Sequence, residues 1–305
     1  MAEAHFAIAE LDRRFGISGA VRVVADQAGN AVLRIATEKC LAAIHLHGAQ
    51  VTSWKPAGTG EVIFLSSKAR FAEGQAIRGG IPICFPWFRA KADDPRAPQH
   101  GFARTRLWAL DSVENRGAEG IAVAMSTASD PATRELWPHD FRARLSATFG
   151  SKLQLEFAVT NTGARPFRYE EALHTYHHVG DVRKARVRGL EGASYLDNTD
   201  GNREKKQTGE VSIPRAADMA YLASPHALEL LDPELKRSIH IVKQNSASTV
   251  IWNPGEDAAQ KMSDLGAREW EKFLCAEGAN ILADAVELGA KENHTMAVTI
   301  SVNAQ

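Results

Sequence analysis

Cysteine is scarce in this chain: Cys40, Cys84 and Cys275 form an odd set with no Cys-x-x-Cys spacing. A disulfide framework or a zinc ribbon needs more than that, so a reduced, cytosolic protein is the expectation. No uninterrupted run of about 18 apolar residues occurs, which excludes a helical membrane span. The first ten residues carry early acids and no long apolar stretch, unlike a secretory signal. Charge of one sign is not in excess either. Thirty-six lysines and arginines face 37 acids, a net charge of −1. That balance gives no generic pull towards nucleic acid or anionic lipid. A phosphate loop is also missing, because Gly79-Gly80 is not followed by Lys and Ser/Thr. Low-complexity linkers and internal repeats are not found. Strand and helix signals do not alternate as they would in a parallel α/β sheet.

What remains is period-two patterning. Ile44 and Leu46 alternate with His45 and His47. Leu153, Leu155, Phe157 and Val159 alternate with polar residues, and so do Met296, Val298, Ile300 and Val302. Alternation of this kind puts one face on a core and the other outward or into a cleft, as in antiparallel sheets. Turn clusters at 27–30, 56–60, 161–163 and 197–202 separate the runs. Short helices are expected only at Pro131 to Trp137 and Glu256 to Leu265. The charged stretch Arg203-Glu-Lys-Lys206, flanked by Gly201 and Gly209, reads as a solvated loop. With 305 residues, 44% of them hydrophobic and 24% charged, the composition is ordinary for a globular protein. The expected architecture is all-β: one large sandwich domain over residues 1–305, with its core at about 20–302.

Four segments carry candidate chemistry. In Ala76 to Phe88 the double glycine after Arg78 lets the backbone bend sharply or approach another chain closely. A lone arginine at a turn is usually just solvated. In Ala97 to Arg106, His100 precedes a glycine and its side chain can stand clear of bulk, although isolated histidines are commonly surface or core-edge residues. In Tyr169 to Asp181, extended geometry puts His174, Tyr176 and His178 on one face and His177 on the other. Zinc needs three or four converging ligands, so this histidine cluster argues against a metal and none is expected. In Arg268 to Asn280, the run from Phe273 to Ala276 is apolar on both faces, as in a buried strand, and Glu277 ends it. A carboxylate there costs free energy unless paired, and its pKa rises. An exposed loop glutamate is the plain alternative.

Together these segments resemble the glucose-6-phosphate 1-epimerases, or hexose-6-phosphate mutarotases, of the aldose 1-epimerase (galactose mutarotase-like) superfamily. Matching stretches run in order from Gln50-Val-Thr-Ser-Trp54 and Ile77 to Phe88, through Pro98 to Arg104 and Leu173 to Asp181. They continue to Val250-Ile-Trp-Asn-Pro254 and Lys272 to Glu277. The resemblance implies a β-sandwich with its site on a concave sheet. It implies His174 as general acid, Glu277 as general base and His100 as a second active-site histidine. Arg78, Gln99 and Arg104 match substrate contacts, and Asp218, in Asp218-Met-Ala-Tyr221, would hold sugar hydroxyls. One departure is Arg89, which stands after Phe88 where the family usually has glycine.

Exchange of α and β anomers needs one base for the C1 hydroxyl proton and one acid for the ring oxygen. A modestly raised glutamate and a histidine titrating near neutrality suit those roles. No cofactor is needed. The implied partner is a sugar phosphate, with no nucleic acid and no membrane, and the chain is expected to be a monomer. Three alternatives stand beside this reading. They are a mutarotase for unphosphorylated aldoses, a non-catalytic sugar-binding protein on the same fold, and a metal enzyme using His174, His177 and His178.

Overall fold

The alternating stretches form long antiparallel strands in the computed structural model of the chain, which describes residues 2–304. Leu153–Asn161 pairs with Phe141–Phe149 on one side and with Asn293–Ala304 on the other. Its residues alternate between buried and partly exposed, so one face lies on the core. These strands belong to a nine-stranded antiparallel sheet. An eight-stranded sheet lies against it, and a four-stranded sheet built from Val21–Ala25 to Gln50–Pro56 joins the same apolar cluster. The two large sheets touch directly: a Cβ on Gly278 of the eight-stranded sheet would come within 2.8 Å of Val298 in the nine-stranded one. Ile239, Ile241, Ile251, Leu274, Met296 and Ile300 fill the space between them. The expected β-sandwich is observed.

The eight-stranded sheet places the chemistry. Its centre runs Ala217–Tyr221, Ser248–Asn253, Phe273–Asn280 in adjacent antiparallel positions. Asp218 pairs across to Trp252, and Val250 pairs across to Glu277. Side chains two residues apart on a strand share a face. Asp218, Trp252, Val250 and Glu277 therefore stand on one face, while Ile251, Leu274 and Ala276 point the other way into the core.

Several local expectations are corrected. Glu277 does not end its strand. Phe273–Asn280 is buried throughout, and Glu277 lies inside it, fully buried. Arg203–Lys206 is an edge strand paired with Ser194–Asp197, not a loop, and its charges are those that protect a sheet edge from further pairing. His45 and His47 are buried rather than outward-facing. His45 stacks on Phe71 and lies 3.5 Å from Asp26. The helix at Pro131–Leu136 is present with a capping box on Asp130. The second helix covers only Gly255–Ala259, and the chain continues in turns bonded from residue i to i+3. A further helix, Ala2–Phe15, was not expected. Its Ile8, Leu11 and Phe15 pack on the core at helical spacing, and Asp12 accepts the Val23 N–H at 2.7 Å.

Glycines allow the loops over the site to approach the sheet. Gly79 and Gly80 have φ of +100° and +70°, and a Cβ on them would lie 2.6 Å from the Phe64 carbonyl and 2.5 Å from that of Val51. Gly101, at φ +75°, is tighter still: a Cβ would lie 1.9 Å from the Phe85 carbonyl oxygen. Both the left-handed backbone and the contact oppose any side chain there. Gly101→Ala is therefore expected to cost more than about 2 kcal/mol, lowering the thermal midpoint by at least about 4 °C. An unchanged midpoint in a thermal melt contradicts this account.

Candidate active site

A cavity of about 390 Å³ opens above the shared face of the eight-stranded sheet. The sheet supplies its floor, with Asp218, Val250, Trp252 and Glu277. Loops supply its walls, with Arg78, Phe88, Arg89, Gln99, His100, Arg104 and His174. All seven residues expected from the sequence thus converge on one cavity. A larger one, about 720 Å³, lies between Asp197 and Trp270. Its Asp197 and Asp200 are paired with Lys205, and none of the seven residues lines it.

His174 follows the short strand Glu171–Leu173, and its backbone N–H donates to the Pro82 carbonyl at 3.0 Å. Its ring stacks on Tyr176 at 4.9 Å and meets the edges of His100 and Trp252, each at 5.6 Å. Packing of this kind leaves the imidazole little rotational freedom. Its Nδ1 lies 3.4 Å from Glu277 Oε1. Neither Glu277 oxygen nor His174 Nδ1 has a hydrogen-bond partner, and all three atoms are buried.

That burial sets the electrostatics. Desolvation pushes the Glu277 carboxyl well above the usual carboxylate range, the Asp218 charge adds to this, and Arg89 and Arg104 oppose it. Desolvation pushes the His174 imidazole down, helped by the charges of Arg104 and Arg78. The sequence suggested a modest rise and a histidine titrating near neutrality. Complete burial without hydrogen-bond partners makes both displacements larger.

The three arginines differ in how their charge is met. Arg78 donates to Asp264 Oδ2 from Nε at 3.2 Å and to the Tyr176 hydroxyl at 3.0 Å, so it is not a solvated turn residue. Arg89 is paired with Asp218 at 2.5 Å. Arg104 donates to the Gln99 carbonyl at 2.7 Å, and its Nε is buried without a partner. No carboxylate within the described residues forms a salt bridge with it. Its guanidinium charge is thus open to pairing from the cavity side.

Residues 31–301 match the aldose 1-epimerase family. The chain belongs to this family. A protein of Cenchrus ciliaris, named as a candidate glucose-6-phosphate 1-epimerase, is 39% identical over 79% of this chain and 75% of its own length. One from Escherichia coli K12 with the same name is 37% identical over 78% of this chain and 79% of its own. The crystal structure of a candidate mutarotase from Salmonella typhimurium superposes with a TM-score of 0.85 at 29% identity, covering 93% of this chain and 97% of that one. A galactose mutarotase-like protein of Lactobacillus casei shares the fold at 16% identity and a TM-score of 0.69, over 89% of this chain and 100% of that one.

Within this aldose 1-epimerase fold the histidine-cluster metal reading fails on geometry. His177 is turned away and lies 3.3 Å from the Ala276 carbonyl, and His178 lies by Arg237 and Asp232. His174, Cys275 and Glu277 do come together, but their donor atoms spread over as much as 4.8 Å. Tetrahedral zinc with bonds of about 2.0–2.3 Å holds its ligands roughly 3.3–3.8 Å apart. Trp252, Phe88 and Asn198 also line the cavity, and sequence reasoning did not name them as site residues. Trp252 was legible in principle, since the Val250-Ile-Trp-Asn-Pro254 motif puts it two residues from Val250 on the same strand face.

A buried glutamate with a raised pKa weakens the fold once it ionises. Its unfolded value is near 4.5 and its folded value lies higher, so its contribution to stability falls as pH rises through that interval. Glu277→Gln removes this penalty. The variant is expected to melt higher than wild type, by about 2–6 °C at pH 8, with the gap narrowing towards pH 4.5. A variant that melts lower than wild type at pH 8 contradicts the burial argument.

Proposed function

We propose that the chain interconverts the α and β anomers of a hexose 6-phosphate, with glucose 6-phosphate as the preferred substrate. The observation that carries this reading is the buried His174–Glu277 pair, 3.4 Å apart at the base of a cavity whose wall holds Arg104, an arginine with no salt bridge among the described residues. The names borne by the Cenchrus and Escherichia relatives support the choice of sugar. All the residues invoked come from one chain, so the reading needs no second copy.

In this reading Glu277 takes the proton of the C1 hydroxyl as His174 gives one to the ring oxygen. The bond from C1 to the ring oxygen breaks and leaves an open-chain aldehyde. Rotation about C1–C2 presents the other face, the ring oxygen attacks, and both protons return. The pair needs one proton between its two members at the start of each cycle, carried on His174. In the empty cavity burial favours a neutral carboxyl and a neutral imidazole, with Arg78 and Arg104 holding the imidazole down. A phosphate dianion against Arg104 offsets a charge that holds both groups down, so binding raises the His174 imidazole and the Glu277 carboxyl together.

Glu277→Gln is expected to lower kcat by about 10²–10⁴-fold, because an amide of the same shape accepts no proton. Anomer exchange followed by NMR saturation transfer measures it, and retention of half the rate places the base elsewhere. For the wild type, kcat/KM is bell-shaped in pH and its limbs belong to the pair. The acidic limb, uptake of a second proton, falls below the ordinary imidazole value of 6.5, since His174 is pushed down. The alkaline limb, loss of the shared proton, falls well above the ordinary carboxyl value of 4.5, since Glu277 is pushed up. A profile with no acidic limb and a rate that rises steadily with pH argues for a different mechanism.

Arg104→Ala separates phosphate recognition from packing. Losing one charge-assisted partner costs about 1.5–3 kcal/mol, or roughly 10- to 150-fold in kcat/KM for glucose 6-phosphate. Free glucose does not use that contact, so its rate stays within about threefold. Equal losses on both sugars make Arg104 a structural residue, and no loss on either removes it from recognition.

A further inference from the structure

Arg89 stands at a backbone position that disfavours any side chain, with φ at +61°. Left-handed backbone is open to glycine and strained for an arginine. The side chain nevertheless has a fixed place. Its Nη2 donates to Asp218 Oδ1 at 2.5 Å and its Nη1 to Asn202 Oδ1 at 3.2 Å. From the other side, Asn198 Nδ2 donates to Asp218 Oδ2 at 2.7 Å. Both carboxylate oxygens are therefore held by protein donors. Each oxygen has two acceptor sites, so each keeps one for a ligand in the cavity that Asp218 lines. Arg89 and Asp218 are 23% and 20% exposed, which shields the pair from most solvent screening.

We propose that Arg89, with Asn198, is a positioning residue that clamps Asp218 so that its two oxygens receive a pair of neighbouring sugar hydroxyls. This rests on the sugar-binding reading of the cavity given above. Held at one oxygen only, a carboxylate rotates about its last torsion. Held at both, it presents two acceptors in a fixed orientation, each able to take one hydroxyl of a vicinal diol. Arg89 is unsuited to the phosphate itself, because Asp218 already meets its charge, whereas Arg104 has no such partner. The recognised class is thus the hydroxyl face of a hexose, common to phosphorylated and free sugars. The same pairing also bears on the acid–base centre: Asp218 pushes the Glu277 carboxyl up and Arg89 pulls it down.

Arg89→Gly tests the clamp without endangering the fold, because glycine relieves the backbone. Its thermal midpoint is expected to equal or exceed that of wild type. Its KM is expected to rise about tenfold on glucose 6-phosphate and on glucose alike, and any change in kcat, which Arg89 reaches through Glu277, is the same on both sugars. Arg89→Lys, which keeps one charged donor, falls between the two. In an Asp218→Asn background Arg89→Gly adds nothing, since the clamp has lost its charged object. A KM rise confined to glucose 6-phosphate means that Arg89 touches the phosphate, and overturns the clamp. So does an unchanged KM on both sugars, or a full tenfold effect that persists with Asp218→Asn. Calorimetric Kd for glucose 6-phosphate, measured on the same variants, separates this from the reaction itself. A wild type that binds the sugar phosphate without exchanging its anomers defeats the proposed reaction, and Kd then reads the clamp. A wild type that binds neither sugar defeats both.

Discussion

The site depends on a carboxyl group kept dry in the middle of a sheet. Glu277 is fully buried inside Phe273–Asn280, and its oxygens have no hydrogen-bond partner. A buried ionisable group in that condition costs stability, and a large apolar core elsewhere must offset it. The continuous cluster between the nine- and eight-stranded sheets is large enough for that task. The cost is also what makes the group useful: a carboxylate with unfilled acceptor sites is a stronger base than one held by donors.

The source of each charge follows from backbone geometry. The two acids of the cavity, Asp218 and Glu277, come from strands, and the three arginines and two histidines come from loops and, for Arg104, the short 3-10 turn Ala103–Thr105, all outside the central strands. Strand positions hold a side chain at a register set by many ladder bonds, which suits groups that must meet a reacting atom. Loops bring in cations from far along the chain, at the price of special backbone. Gly79, Gly80, Arg89, His100 and Gly101 all have positive φ. The Arg89 and His100 loops are also bonded to each other: the His100 N–H donates to the Arg89 carbonyl at 2.7 Å, and the Arg89 N–H donates to His100 Nδ1 at 3.2 Å. With Nδ1 accepting, the neutral imidazole carries its proton on Nε2.

Sequence patterning located the frame well where burial is one-sided. Leu153 to Val159 and Met296 to Val302 alternate because one face of each strand meets the core, and both are strands. Patterning failed where burial is two-sided or the element lies at an edge. Phe273 to Ala276 was legible as a buried strand, but its end was misplaced at Glu277, because a charged residue ordinarily marks an exit from the core. Arg203–Lys206 looked like a loop because an edge strand carries the same charges as one. The short Ala-rich helix at the start escaped because its three core residues, Ile8, Leu11 and Phe15, span only two turns.

By itself the amino-acid order determined which residue types were available and on which strand faces they would stand. It also determined the double glycine after Arg78 and the glycine after His100, whose positive φ and lack of a Cβ permit the loop approach. Motif resemblance then pointed to seven residues, and the fold brings all seven to one cavity. Tertiary structure alone decided their states. Arg78 gained Asp264, 186 residues away, Arg89 gained Asp218 across 129, and Arg104 gained no salt bridge among the described residues. Depth of burial, which no local window encodes, set the directions in which Glu277 and His174 are pushed. The physical reason is that charge and desolvation act through space, between groups that the chain brings together only when both sheets have closed.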